Sequence, residues 1–294
     1  MIKENLSIRN EEEIPDIEKI SDIISKHSLS SGNAELLELE KTIRDIIIKT
    51  IKSVNEPTLD IHIKFFKALK SLIGPKARCI HIFTTNYDLT IEKAALHAKI
   101  PVYNGFVGTT YRYFDATRFK LIYGQASNQR FYEFSEPHIK LIKLHGSISW
   151  VKNNNNIYEL GDLSTISPEQ HSIIVPKTQK IRETLAYPYN HLFSYASKVI
   201  GTSKCRYLIS CGCSLRDKHI NDNILFPKLR TGKLRLFATF KNEPTTLDDF
   251  KQFQSFNYLT ENNNYLKGDL VSETTNLWDF KYLVNELAEK AGVE

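Results

Sequence analysis

Short apolar runs that stop abruptly in polar, turn-forming residues recur along this chain and alternate with stretches of helical periodicity. CIHIFTT (79–85), PVY (101–103), IKLIKL (139–144), SIIV (172–175), RYLISC (206–211) and LRLFATF (234–240) read as strands. A helical pattern follows Asn86-Tyr87-Asp88 as far as His97, and others cover 182–200, about 218–229 and 277–290. Short strands interleaved with helices imply right-handed βαβ units and a parallel sheet. In such a sheet a ligand sits outside the carboxyl ends of the strands.

The first third is helical throughout. Residues 14–27 place Ile14, Ile17, Ile20, Ile23 and Ile24 at helical spacing, and 34–53 continue with Leu36, Leu37, Leu39, Ile43, Ile46, Ile47 and Ile51. Ser30-Ser31-Gly32-Asn33 separates the two. A third helix is predicted over 57–73, from the first-turn residue Pro57 to Gly74-Pro75. Residues 105–138 read as irregular and rich in Tyr, Phe and Arg, and 152–170, with its run of asparagines, as hairpin and loop. No internal repeat is present.

Composition narrows the class further. With 41% hydrophobic and 25% charged residues, the 294-residue chain is ordinary globular protein, neither disordered nor fibrous. Its net charge of +5 comes from basic residues interleaved with acidic ones, a weak argument for a nucleic-acid groove. The N-terminus is too charged for a secretory signal, and no apolar run approaches the ~18 residues of a membrane span. Four cysteines do not make a disulfide scaffold, so a reducing cytoplasm is expected.

Three strands run directly into residues that can do chemistry. After the first, Asn86 offers an amide donor and acceptor to a ribose or carboxamide; Asp88 either joins it or only caps the following helix. At the end of IKLIKL, His145 can act as a general base near neutral pH, or can be a hydrogen-bonded turn histidine, and Gly146 permits an unusual backbone angle. After RYLISC, Gly212 lets a ligand approach the main chain, Ser214 can bond a ribose or phosphate, and the helix start adds backbone donors. The plain alternative there is a strand–turn–helix capped by Ser214 or Asp217, with Arg216 paired to an acid.

Taken in order, the strand-TTNYD, strand-LHGS and strand-GCSLRDKHIN series resembles the sirtuin-like family, closest to its bacterial branch that hydrolyses NAD in anti-phage defence. The resemblance runs from about residue 10 to 240. It implies one domain over 1–294 of α/β class: a Rossmann-like parallel sheet with helices on both faces, a helical module over about 10–75, and a core over about 76–294 with insertions. It implies NAD as substrate and no metal, with Asn86 and His145 catalytic. Asn86 and Asp88 would contact the nicotinamide ribose and carboxamide. Gly212 and Ser214 would hold the adenosine half, Arg216 and Asp217 would support that loop, and Thr85 and Gly146 would complete the binding residues.

Two departures from the family pattern matter. Deacylating sirtuins carry a zinc module of two C-x-x-C pairs, whereas Cys79, Cys205, Cys211 and Cys213 have no such spacing. Deacylation is therefore demoted, and the last three cysteines are expected to pack as small apolar residues on or beside one strand. The family also opens with a strand and a Gly-Ala-Gly-x-Ser-type phosphate loop, but none of the twelve glycines here forms a G-x-G. Its absence is expected to leave exposed pairing edges. An internal start, a strand supplied by another chain, or a decayed copy would each account for it; truncation is the preferred expectation, and an inactive product would follow. The alternative function is a non-catalytic NAD or ADP-ribose-binding subunit. A homo-oligomer or a second defence protein is the expected partner, and nucleic-acid binding through YRYFDATRFK (111–120) ranks last.

Overall fold

Among the described residues of the computed structural model, the alternation of strand and helix produces a three-stranded parallel sheet and a five-stranded mixed one, beside a five-stranded antiparallel sheet and a two-stranded hairpin. The structure describes residues 34–54, 58–73, 79–134, 136–167, 170–175, 181–271 and 274–293, with Ile20, Ser21 and Ile24. Most of the helix predicted over 14–27, Pro57, and Gly74-Pro75 lie outside the described residues. Two helices, α1 (Ala34–Ser53) and α2 (Asp60–Ile73), precede β1 (Cys79–Thr84) and α3 (Thr90–His97).

The first parallel sheet has the order β1, β7 (His138–Lys143), β2 (Val102–Tyr103). β1 and β7 are paired along their whole length, from Cys79 opposite His138 to Thr84 opposite Lys143. β7 is wholly buried, and its alternation assigns it two faces. Ile139 and Leu141 pack with Phe66 of α2 and Ala94, Ala95 and Ala98 at α3, whereas Ile142 joins the larger core on the other side. That larger core includes Leu192 and Ala196 of α5 (Tyr189–Val199), so helices cover both faces of this sheet, as the α/β class requires.

The second sheet has the order β11 (Tyr207–Cys211), β12 (Arg235–Thr239), β13 (Phe256–Leu259), β14 (Asn264–Leu266), β15 (Asp269–Val271). Its first three strands are parallel and the last two antiparallel. Among the described residues, no strand pairs with the second edge of β1 or of β11. β11 exposes Tyr207 and Ile209 on the face away from the core. The C-terminal helix, α9 (Phe280–Ala291), lies against α2, where the Phe280 ring meets His62 and Phe65 with centroids 5.3 Å apart and Ser71 Oγ donates to the Ala291 carbonyl.

Several sequence expectations change in detail. Gly146 does not merely stop a strand: it opens β8 (Gly146–Asn153), which leads into an antiparallel sheet of order β10 (His171–Ile173), β8, β9 (Asn156–Leu160), β4 (Tyr111–Phe114), β3 (Phe106–Val107). The segment 105–138, read as irregular, supplies β3, β4 and a separate hairpin, β5 (Gly124–Ser127) with β6 (Arg130–Glu133). The helix expected over 182–200 is two, α4 (Ile181–Leu185) and α5, because Pro188 lacks the N–H that would continue the ladder. The helix expected from about 218 is α6 (Lys218–Ile220), a π-helical turn Asn221–Leu225, then α7 (Phe226–Arg230), with the short α8 (Asp248–Lys251) following β12. Cys205 is buried as expected, but Cys211 is exposed: β11 has only one covered face, and an odd-numbered position falls on the other. Among the described residues no helix is long and apolar enough to cross a membrane.

Candidate functional site at the strand ends

The parallel pairing of β1 with β7 brings the TTNYD and LHGS motifs side by side, and main-chain bonds keep them there beyond the sheet. Leu144 N–H donates to the Thr84 carbonyl at 2.8 Å, Ile148 N–H to the Tyr87 carbonyl at 2.9 Å, and Ile174 N–H to the His145 carbonyl at 2.9 Å. Tyr87 Oη donates to the Ile174 carbonyl at 2.6 Å. Thr85 is half-buried and Asn86 exposed, its N–H bonded to Thr84 Oγ1 at 3.0 Å. Asp88 Oδ1 accepts from Thr90 N–H at 2.8 Å, so its side chain caps the first turn of α3. Behind this loop Lys143, 1% exposed, donates to the Asp88 carbonyl and to Glu92 Oε1 at 2.8 Å. Lys143 was not singled out from sequence; a lysine as the last residue of a strand flanked by Ile142 and Leu144 is the signal that could have found it.

His145 is 5% exposed, and its Nε2 lies 3.0 Å from Asp217 Oδ2. The same carboxylate's Oδ1 accepts from Ile220 N–H, capping α6. The second and third motifs therefore meet through this one close histidine–carboxylate contact between the end of β7 and the turn after β11. Gly146 has φ +87°, and a Cβ there would collide with the Ser172 carbonyl and lie 2.8 Å from Tyr189 Oη. Only glycine lets the chain turn so close beneath His145.

In the third motif, Gly212 has φ +66° and nothing within 4 Å of where a Cβ would stand. Leu215, buried, is also left-handed at φ +53°, a conformation disfavoured for a residue with a Cβ. Two side chains fix that turn: Asn221 Nδ2 donates to the Leu215 carbonyl at 2.7 Å, and Thr246 Oγ1 to the Ser214 carbonyl at 3.2 Å. Ser214 and Arg216 are exposed. A cavity of about 440 Å³ lies here, lined by Gly212, Cys213 and Ser214, by the turn after β12 from Thr239 to Pro244, and by Trp278 to Phe280. Its volume falls in the usual range for small-molecule sites, about 300–1,000 Å³.

Of the residues singled out from sequence, His145 and Asp217 touch, Gly212 and Ser214 line the cavity, and Thr85, Asn86, Asp88 and Gly146 sit on the laced strand ends beside them. Arg216 points to no partner among the described residues. Lys241 and Asn242 were missed, although the strand LRLFATF ending in a polar turn carries the same signal as the other three. The free approach at Gly212, the hydroxyl of Ser214 and the elongated row of strand ends fit a dinucleotide.

These features define an α/β protein with a cavity and a row of polar side chains at the carboxyl ends of its parallel strands. Residues 80–262 match a protein-family model described as SIR2-like domain, and the chain belongs to that family. Domains of this family use NAD. A comparison with curated proteins gives no match.

Proposed function

We propose that this protein hydrolyses NAD at the bond between nicotinamide and ribose, releasing nicotinamide, ADP-ribose and a proton. The observation that carries this reading is the His145–Asp217 pair, which joins two strand-end motifs beside a nucleotide-sized cavity. The leaving group is a cationic nicotinamide that departs neutral, so the chain's own work is positioning, water activation and proton removal. Asn86, exposed with its backbone pinned, orients the attacking water. In this reading His145, whose Nε2 lies 3.0 Å from the Asp217 carboxylate, takes a proton from water or a ribose hydroxyl. Gly212 and Ser214 hold the adenosine half.

We further assign this activity to anti-phage defence in the cytoplasm, because the motif series is nearest to that branch. Incubation with a fluorogenic NAD analogue tests the chemistry. His145→Ala and Asn86→Ala are each expected to lower the signal by about 100-fold or more; equal signal from wild type and both variants overturns the assignment. One observation favours a second reading: the chain contains no G-x-G phosphate loop. Nucleotide binding in calorimetry with no turnover would select a non-catalytic ADP-ribose-binding subunit.

A further inference from the structure

We infer that Trp278 is the platform for the adenine base of the ligand, a role carried by a residue outside the segment that matches the family. The family match ends at residue 262, yet Trp278, Asp279 and Phe280 form one wall of the cavity whose other walls are Gly212–Ser214 and the turn after β12. Phe280 is spent on packing, since its ring meets His62 and Phe65 of α2. Asp279 is spent on capping, since its Oδ1 accepts from Lys281 N–H at 2.7 Å. Trp278 is different. Its indole is half-buried and, among the described residues, stacks on no other ring.

The backbone that carries the indole is held in advance of any ligand. Thr275 Oγ1 accepts from Leu277 N–H on one side, Asp279 caps α9 on the other, and α9 is anchored to α2 through Phe280 and the Ser71–Ala291 bond. A pre-set aromatic face binds a flat base without a further ordering cost. Ser214 and Asn242, on the facing walls, supply polar groups for a ribose and a base edge, while Gly212 leaves the main chain open. A π-face opposed by amide and hydroxyl groups selects a nucleoside over a bare sugar phosphate.

This inference rests on the nucleotide reading above, and the chain carries its own probe for it. Its two tryptophans are Trp278 and Trp150, and Trp150 is 1% exposed, enclosed by Phe106, Phe114 and Tyr189. Titration of the whole protein with AMP or ADP-ribose under selective tryptophan excitation is expected to give saturable quenching, and ribose 5-phosphate none. Trp278→Phe removes the quenching but keeps binding by calorimetry, because a ring remains. Trp278→Ala weakens AMP binding by about 5- to 100-fold. Unchanged emission at saturating AMP, or full affinity in Trp278→Ala, overturns the platform. NAD hydrolysis with unchanged Trp278 emission removes the platform and leaves the hydrolase; quenching by AMP without hydrolysis does the reverse.

Discussion

His145 Nε2 and Asp217 Oδ2 stand 3.0 Å apart, and this contact joins the end of β7 to the turn after β11. A carboxylate this close to Nε2 favours a proton on the imidazole there, and the proposed hydrolysis uses the ring as its base. Asp217→Asn keeps the helix cap, because its amide oxygen can still accept from Ile220 N–H, but it removes the charge. We expect kcat for NAD to fall by about 10- to 100-fold with little change in KM and in the unfolding midpoint. A proportional loss of stability would assign Asp217 to the fold alone.

That contact was not legible in the sequence, although both partners were. IKLIKLHG announces a buried strand ending in histidine through its four isoleucine and leucine residues, although its two lysines, both buried, do not carry that signal. Nothing local says that, of all the acids, the one after Arg216 comes to meet it; the packing of two separate sheets decides that. The helix expected over 182–200 broke at Pro188, where an apolar pattern outweighed the missing N–H in the sequence reading. The β5–β6 hairpin was invisible because GQAS and RFYE carry no period-two burial: among the described residues they pair only with each other. Trp278 reached the cavity from the far end of the chain through the docking of α9, a relation with no local signature.

Lys143 holds the loop that carries Asn86. Its ammonium is out of water and bridges the Asp88 carbonyl and Glu92, whose other carboxylate oxygen is buried without a partner. Lys143→Met strands that carboxylate. Breaking a fully buried pair costs about 3–5 kcal/mol, and because Glu92 keeps some solvent contact the expected loss is about 2–3 kcal/mol. Urea denaturation reads this as a lower midpoint at unchanged slope. NAD turnover is expected to fall beyond what the lost folded fraction explains.

Gly146 and Gly212 share a left-handed backbone but answer differently to an added methyl. At Gly146 the Cβ meets the Ser172 carbonyl and Tyr189 Oη, and the fully buried strand cannot yield, so Gly146→Ala is expected to cost about 3 kcal/mol. At Gly212 the space is open and only backbone strain applies, about 1 kcal/mol. Gly212→Ala is instead expected to weaken AMP binding several-fold by standing between ligand and main chain. Equal midpoints for the two variants would contradict this assignment of space.

Two histidines away from the site are expected to make the fold less stable toward acid. Burial, reinforced by the positive charges of Lys52 and Arg44, pushes His171 from 6.5 down to about 4. Burial and the nearby Lys140, His138 and Lys204 push His81 equally low, to about 4. Both rings are therefore neutral in the folded protein at pH 6, while the unfolded chain takes up protons as pH falls below its ordinary value near 6.5. Stability from these rings is complete above about pH 7 and is lost progressively as pH falls through about 6.5 toward 4. Below that the folded rings protonate too and no further loss accrues. His171, 2% exposed, accounts for up to about 3 kcal/mol of the effect, and the half-buried His81 adds a smaller share. Urea midpoints measured across this range are expected to decline, and His171→Gln to flatten the decline. An identical slope in that variant would place the acid sensitivity elsewhere in the molecule.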